Sequence, residues 1–190
     1  MHNNLEGGWD PYRSKIKAAI ENGLSETYLR VQRILYIGAA HGYTISHLYA
    51  HPMEIYAVEK SHEMMRAFIK TAEEIPNVLP ILADAAAPDS FAQHIPEQVD
   101  IIFQDIAQKD QVGIFVLNCK RFLNPYGVGL LALKARAVNS TAEAAVVYAD
   151  TRQRLEKEGM TIVQEISLEP YQKQHRLYVV HKNDEAYDFF

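Results

Sequence analysis

The sequence lacks the features of membrane, secreted and disulfide-bonded proteins. No run of about 18 apolar residues occurs, so we expect no helix that spans a membrane. The first eight residues carry no apolar segment, and we therefore expect no signal peptide. The single cysteine, Cys119, cannot form an intramolecular disulfide, and its apolar surroundings predict a small core residue rather than a reactive thiol. These absences favour a cytoplasmic or nuclear setting.

The sequence also has fewer basic than acidic residues, 19 against 24, and its formal net charge is −5. This balance argues against strong autonomous binding to nucleic acid, although partner proteins could deliver such a substrate. The 190 residues fit one domain with a sizeable core. We expect a domain over residues 9–182 and a flexible N-terminal tail over 1–8. The acidic and aromatic stretch 183–190 is either a disordered tail or a docking peptide.

A glycine-containing stretch, Ile34–His47, organises the chain. The apolar residues 34–37 predict a strand that is buried on both faces, as in a parallel sheet. Gly38 can leave the strand with a positive φ, Gly42 would let a ligand approach the main chain, and Thr44 can cap the next helix. The third glycine of the dinucleotide motif is missing, which disfavours a dinucleotide.

Acidic residues follow the next two predicted strands. Glu59 ends the strand Met53–Val58, where a carboxylate suits ribose hydroxyls, and Asp84 follows the strand Asn77–Ala83, where it could meet an adenine amine. Taken with the glycine turn, these strand ends predict an adenosine-type cofactor. The alternative is a Rossmann-like sheet with ordinary turns.

The order of elements predicts an α/β fold. The first helix begins with Asp10 as its N-cap and Pro11 as its first residue. The later helices are predicted at Tyr43–Ala50, after Ser61, at Gln111–Leu123 and at Thr141–Lys157. The later strands are predicted at Val99–Asp105, Val128–Leu133, Thr161–Leu168 and His175–His181, with a turn at Asn124–Gly127. Such a chain forms a seven-stranded, mostly parallel sheet with an antiparallel last strand and helices on both faces. This is the layout of Rossmann-like, class I methyltransferases, which bind S-adenosylmethionine.

Four ionisable residues lie where an active site is expected. Asp105 and Lys134 end apolar strands at the ligand-binding edge, Lys15 is on the helix before the first strand, and His175 starts the last strand. Each alone could be a solvated surface charge. The sulfonium of the methyl donor is already activated, so the protein must position an acceptor and manage one proton. A lysine with a lowered pKa, oriented by an aspartate, could do this for an alcohol.

The sequence resembles the fibrillarin family, the S-adenosylmethionine-dependent RNA 2′-O-methyltransferases of C/D-box guide ribonucleoproteins. The resemblance runs from about Trp9 to Lys182. It is carried by the segments Trp9–Lys15, Tyr36–Thr44, Asn77–Ala85, Asp105–Gln108, Leu133–Arg136 and Leu168–His175.

The resemblance implies a site, partners and a location. The family's Lys-Asp-Lys-His set matches Lys15, Asp105, Lys134 and His175. Cofactor contacts would come from Gly38, Ala39, Gly42, Tyr43, Thr44, Glu59, Lys60, Asp84, Ala85, Asp105, Ile106, Ala107 and Gln108, with no metal. Expected partners are a guide RNA, a target rRNA or tRNA, a Nop-domain scaffold protein and a kink-turn-binding protein, with no membrane. The location would be the cytoplasm in an archaeon and the nucleolus in a eukaryote.

The sequence departs from the family at four positions. His41 and Tyr43 replace the usual Ser and Thr, Gln104 replaces an acidic residue, and Gln174 replaces Asp. Two alternatives therefore stand beside guided RNA methylation. One is a methyltransferase for another RNA or for a protein glutamine. The other is a non-catalytic assembly subunit in which Tyr43 fills part of the cofactor cleft.

Overall fold

The fold is described from a computed structural model, which covers residues 8–48 and 54–183. The strands are β1 (Arg33–Ile37), β2 (Glu54–Glu59), β3 (Val78–Leu82), β4 (Val99–Gln104), β5 (Leu123–Lys134), β6 (Met160–Ser167) and β7 (His175–Lys182). The α-helices are α1 (Lys15–Glu21), α2 (Ile45–Leu48), α3 (His62–Ala72), α4 (Gln111–Phe122), α5 (Ala135–Val138) and α6 (Ala144–Lys157). Short 3₁₀ turns lie at Glu26–Leu29, Pro88–Ser90 and Ala92–His94. The predicted tails fall almost wholly outside the described ranges.

The seven strands form one sheet in the order β3-β2-β1-β4-β5-β7-β6. Strands β1 to β5 pair in parallel, whereas β7 runs antiparallel to both β5 and β6. The predicted α/β architecture with an antiparallel last strand is therefore confirmed. Because β7 is reversed, its first residues lie at the same edge of the sheet as the last residues of β5.

Two apolar cores cover the two faces of the sheet. On one face, Ile16 of α1 and Phe68 of α3 pack with alternate strand residues such as Tyr36 and Phe103. On the other, Phe115 of α4 and Leu155 of α6 pack with the residues that alternate with them. This alternation, which is the normal period of a strand, decides on which face each strand-end side chain lies.

Helices α1 and α6 begin later than the sequence predicted, whereas α3 and α4 begin where it predicted. Asp10 does not cap α1, because its carboxylate Oδ1 accepts from Tyr12 N–H at 2.8 Å within a turn. Ser14 is the N-cap instead, with its Oγ accepting from Lys17 N–H. Likewise α6 begins at Ala144 rather than Thr141, since the Asn139 side chain accepts from the Thr141 and Ala142 N–H groups and holds a turn there.

Strand β5 begins earlier than predicted. The segment predicted as a turn, Asn124–Gly127, is a bulge within β5, because the pairing with β4 steps from Val99 opposite Leu123 to Ile101 opposite Val128. Asn124 Nδ2 donates to Asp100 Oδ1 at 2.8 Å and fixes the bulge to β4. Leu123 is therefore a strand residue and not the end of α4.

Two further predictions concern single elements. Cys119 is fully buried and unpaired, which confirms a core role, and burial raises the pKa of its thiol. The helix predicted at Tyr43–Ala50 is found at Ile45–Leu48, its last two predicted residues lying outside the described ranges, as does Met53 before β2. No helix in the described part of the chain is long and apolar enough to cross a bilayer.

Candidate active site

The glycine turn after β1 touches the end of β4. Gly38 has a φ of +89°, and a Cβ built on it would lie 2.1 Å from the carbonyl oxygen of Asp105. Only glycine fits both the positive φ and this close approach. The turn is thereby held against Asp105 and leaves the backbone open towards the edge of the sheet.

Glu59 joins the glycine turn to α3. Its Oε2 accepts from the Ala40 N–H at 3.0 Å, and its Oε1 accepts from the Ser61 N–H at 2.8 Å. Both carboxylate oxygens are therefore ordered at the end of β2, where the sequence predicted a contact to ribose.

Asp84 lies across the cleft at the end of β3. It accepts from the Ala86 N–H at 3.0 Å and pairs with Lys60 Nζ at 3.3 Å. The Ala86 bond, followed by Lys60 and Gln108, lowers the pKa of Asp84, so the group is a carboxylate at neutral pH. An ionised acceptor is thus available for an amine donor.

A small cleft, open to solvent, lies between these strand ends. It is lined by Ile37, Gly38, Val58, Glu59, Lys60, Ala83, Ala85, Ile106 and Gln108. Of the predicted contacts, Ala39 is buried beneath the turn and Ala107 is exposed beside Ile106. Three others, Gly42, Tyr43 and Thr44, contact other parts of the protein.

Gly42 and Tyr43 contact protein where a ligand was predicted. Gly42 is buried, and a Cβ on it would lie 2.5 Å from the Phe68 ring, so a glycine is needed here for α3 to pack closely. Tyr43 turns to the N-terminal segment, where its hydroxyl accepts from the Asp10 N–H at 3.0 Å and the Arg13 guanidinium lies 3.9 Å over its ring. The neighbouring Thr44 donates to Ser14 Oγ at 3.1 Å.

The four predicted catalytic residues share one face and one edge of the sheet. Phe103, Ala132 and Leu177 belong to the core on the face of α1. Because strand side chains alternate, Asp105, Lys134 and His175, each two residues from one of these, lie on that same face. Lys15 of α1 reaches them, with its Nζ 2.8 Å from Asp105 Oδ2.

His175 is the most buried member of the set. It stands opposite Lys134 in the register of β5 and β7, and its Nδ1 lies 2.8 Å from the Lys173 carbonyl oxygen. Burial is the main cause that lowers its pKa, and the positive charges of Lys15 and Lys134 lower it further. His175 is therefore neutral at pH 7, with Nε2 left as a second polar atom.

Lys134 is held by a residue that the sequence reading missed. The last residues of β5 extend beyond β4, whose final pair joins Gln104 to Leu131. The buried Gln111 takes the place of a strand there, with its Oε1 accepting from the Lys134 N–H at 3.0 Å and its Nε2 donating to the Lys134 carbonyl at 3.2 Å. Gln104 Nε2 in turn donates to the Gln111 carbonyl at 2.7 Å.

Tyr36 is a second residue that the sequence reading did not single out. It is fully buried beneath the site, and burial with the negative charge of Asp105 raises the pKa of its hydroxyl. The only signal was its place in β1 on the same face as Asp105. Its hydroxyl is therefore neutral, contacts the Thr44 side chain and lies near enough to Asp105 to be affected by that charge.

The charges of the four predicted catalytic residues suit a proton transfer beside the cleft. Lys15 and Asp105 neutralise each other, His175 is neutral, and no carboxylate among the described residues pairs with Lys134. Nor does any group of three or more His, Cys, Asp or Glu in that part of the chain form a metal site. Among the described residues, the site therefore offers Lys134 as a cation without a carboxylate partner, together with the neutral polar side chains of His175 and Tyr36.

Comparison with known proteins shows the family of the chain. The sequence model of the Fibrillarin family matches residues 7–184. The chain belongs to the fibrillarin family. A fibrillarin-like rRNA/tRNA 2′-O-methyltransferase of Methanococcus voltae is 40% identical over 90% of the chain and 76% of that protein. The rRNA 2′-O-methyltransferase fibrillarin of Tetrahymena thermophila is 39% identical over 89% of the chain, which spans 58% of that protein.

Solved structures of fibrillarins share the fold and the sequence. The Methanococcus jannaschii fibrillarin superposes with a TM-score of 0.87 at 37% identity, over 93% of this chain and 78% of that one. An Aeropyrum pernix fibrillarin with natively bound S-adenosyl-L-methionine has a TM-score of 0.81 at 35% identity, over 90% and 76% of the two chains. A fibrillarin/Nop5p complex gives 0.85 at 35% identity, over 96% and 88%. A ribosomal protein L11 methylase, at 11% identity and 0.64, shares the class I methyltransferase fold alone.

Proposed function

We propose that the protein is an S-adenosylmethionine-dependent RNA ribose 2′-O-methyltransferase that acts on rRNA or tRNA as the catalytic subunit of a C/D-box guide ribonucleoprotein. One observation carries this proposal. The Lys15–Asp105 pair, Lys134 and His175 converge on one face of the sheet, at the edge where the nucleoside-type cleft opens. Membership of the fibrillarin family supports it.

The residues of the cleft fit S-adenosylmethionine. Gly38 lines the cleft with backbone alone, Glu59 is placed for ribose hydroxyls, and the ionised Asp84 is placed for the adenine amine. When bound, the cofactor supplies an activated methyl group. The relative from Aeropyrum pernix holds this same cofactor.

The catalytic roles follow from charge and position. Lys134, a cation with no carboxylate partner among the described residues, would lower the pKa of the ribose 2′-hydroxyl and stabilise the developing 2′-alkoxide, while the proton leaves to solvent. Asp105 would orient Lys15 and the acceptor hydroxyl, and lies against the glycine turn. Lys15 and the neutral His175 would hold the acceptor ribose and its phosphate. Positioning of this kind supplies up to ~7–11 kcal/mol of barrier lowering.

Partners complete the enzyme. A relative crystallised with Nop5p, 35% identical to this chain, supports a Nop-domain scaffold. The net charge of −5 fits an enzyme whose RNA is delivered by other components, since the chain offers few phosphate contacts of its own. We propose that these components are a guide RNA paired to the target and a kink-turn-binding protein.

Replacement of Asp105 tests the proposed function. Asp105→Ala should abolish methyl transfer to a guided target RNA, because Lys15 loses its orienting partner at 2.8 Å. Calorimetric titration with S-adenosylmethionine tells loss of chemistry from loss of binding. Asp89→Ala, which breaks an exposed pair with Arg121, is the matched control and should keep full activity. Full activity of Asp105→Ala would overturn the assignment.

The same experiment addresses the two alternatives. A non-catalytic subunit predicts no transfer by the wild-type protein with any partner, and a protein-glutamine methyltransferase predicts transfer to a glutamine peptide but not to RNA. The contacts of Tyr43 favour an active enzyme, because its ring is held between Arg13 and His47 rather than in the cleft.

A further inference from the structure

Tyr43 contacts the segment that leads into the helix of Lys15. This segment consists of residues 9–14, and Lys15 follows it as the first residue of α1. The Asp10 N–H donates to the Tyr43 hydroxyl at 3.0 Å, and the Arg13 guanidinium lies 3.9 Å over the Tyr43 ring. A single side chain therefore holds the segment at two points.

Two neighbours of Tyr43 in the chain add to this attachment. The Trp9 ring stacks on the His47 ring at 5.7 Å, and His47 in turn meets the Tyr43 ring at 4.7 Å. Thr44 donates to Ser14 Oγ at 3.1 Å, in a bond between two buried side chains. The segment is thus attached at both of its ends to the stretch that follows the glycine turn.

The position of Lys15 depends on this attachment. Ser14 is the N-cap of α1, and its Oγ accepts from the Lys17 N–H. The next residue is Lys15, whose Nζ lies 2.8 Å from Asp105 Oδ2. A helix of only seven residues is marginal without packing contacts, so the contacts of the segment before it decide where its first turn lies.

Gln172 holds the same segment from the side of β7. Its Nε2 donates to the Pro11 carbonyl at 2.9 Å and to the Tyr12 carbonyl at 2.8 Å. Gln172 belongs to the loop that leads into His175. The segment therefore lies between two attachments, and the loss of Tyr43 would leave the other one in place.

We propose that Tyr43 is a positioning residue, which fixes the segment before α1 and thereby the place of Lys15 beside Asp105. The proposal rests on the proposed function and gives Tyr43 a role other than the cofactor contact that the sequence predicted. Because both its hydroxyl and its ring contact the segment, Tyr43 acts on the side of the acceptor ribose and not on the affinity for S-adenosylmethionine.

The test compares two substitutions of Tyr43 with a matched control. Tyr43→Leu removes the hydroxyl and the ring, whereas Tyr43→Phe removes the hydroxyl alone. The control is Tyr148→Leu, because the Arg176 guanidinium lies 4.2 Å over the Tyr148 ring but this pair packs on the opposite face of the sheet.

Three quantities are measured for each variant. Methyl transfer is measured in the particle assembled from this protein, the scaffold protein, the kink-turn-binding protein and a guide RNA. Calorimetry gives the affinity for S-adenosylmethionine. Amide hydrogen exchange of the peptide 9–17 reports the local stability of the segment and of the first turn of α1.

Tyr43→Leu should lower kcat/KM for the target RNA about tenfold and speed exchange in residues 9–17, with the Kd for S-adenosylmethionine unchanged. The loss is smaller than the roughly 100-fold that a 1 Å misplacement costs, because Gln172 still holds the segment. Tyr43→Phe should lose about threefold, the size of one hydrogen bond. Tyr148→Leu should match the wild type in all three measurements.

A double variant tests the path from Tyr43 to the site. Arg13→Ala removes the cation over the Tyr43 ring and should lower kcat/KM about threefold. Because Arg13→Ala and Tyr43→Leu break the same contact, the two together should lose less than the product of their separate losses. A full product would contradict a path through the segment.

Other results would also overturn the proposal. An unchanged kcat/KM in Tyr43→Leu would mean that Lys15 is placed without Tyr43. A weaker affinity for S-adenosylmethionine with unchanged exchange would make Tyr43 a cofactor contact. A lower kcat/KM with unchanged exchange in residues 9–17 would rule out the segment as the cause.

The outcomes separate this proposal from the proposed function. If the wild-type particle transfers no methyl group to RNA, the proposed function fails. Exchange and cofactor affinity are then compared in the whole protein alone. Faster exchange of residues 9–17 in Tyr43→Leu, at unchanged affinity for S-adenosylmethionine, would support the attachment by itself, whereas equal exchange rates would reject it.

Discussion

Replacing Gln111 with leucine tests whether a buried amide positions Lys134. The substitution removes the bonds to the Lys134 N–H and carbonyl, at 3.0 and 3.2 Å, and leaves both groups without a strand neighbour on the β4 side. An unpaired buried polar group costs about 1–3 kcal/mol, but these two are only partly buried. We therefore expect the free energy of unfolding to fall by about 2 kcal/mol.

The effect on catalysis should be larger than the effect on stability. A displacement of about 1 Å at a reacting group costs on the order of 100-fold in rate, so we expect Gln111→Leu to lower kcat about 10- to 100-fold with a small change in KM for RNA. Urea unfolding gives the stability, and transfer of a labelled methyl group gives kcat. Gln111→Glu keeps an acceptor for the Lys134 N–H and should retain more activity.

A matched amide at the other edge of the sheet provides the control. Asn124→Ala breaks the 2.8 Å bond to Asp100, far from the site, and should cost about 1 kcal/mol of stability without lowering kcat. If Gln111→Leu lowered the stability but left kcat unchanged, the amide of Gln111 would only stabilise the fold, and the positioning of Lys134 would have another cause.

Three further outcomes are expected. Gly38→Ala should cost about 3 kcal/mol of unfolding free energy and abolish cofactor binding, whereas Gly159→Ala, with a φ of +83° in open space, should cost about 1 kcal/mol; equal costs would contradict the Asp105 contact. Burial lowers the pKa of His175 below 6.5 in the folded protein. The stabilisation that this difference gives is complete above the pKa of the unfolded state and is lost as pH falls through the pKa of the folded state. His175→Gln should therefore reduce the decrease in the urea midpoint between about pH 7.5 and about pH 5.5. An unaltered slope would rule that group out. Asp84→Ala should weaken S-adenosylmethionine binding about tenfold by calorimetry, and an unchanged affinity would remove Asp84 from the cleft.

The sheet could be predicted because its signals are local. Apolar runs such as Ile34–Ile37 define buried strands, and parallel strands bring their ends to one edge. Once Asp105 and Lys134 were assigned to strand ends, their proximity followed from topology. The placement of His175 needed only one more inference, an antiparallel last strand.

The features that could not be predicted are those for which the sequence allows two contacts and tertiary packing selects one of them. Asp10 and Ser14 are both good N-caps, and the choice of Ser14 depends on the Tyr43 and Gln172 contacts that hold residues 10–12 in a turn. Gln111 reads as the first residue of an amphipathic helix, and nothing local indicates that it faces Lys134, 23 residues away. Gly42 looks like a ligand-contact glycine until Phe68 is placed against it.

The position of β7 between β5 and β6 makes activity a property of the finished chain. Lys15 comes from near one end of the sequence and His175 from near the other, and β7 must enter between two strands already made. During synthesis, the cleft at the ends of β1 to β4 can therefore form well before the catalytic set is complete. A nascent chain that has not yet released β7 could hold the methyl donor but could not use it.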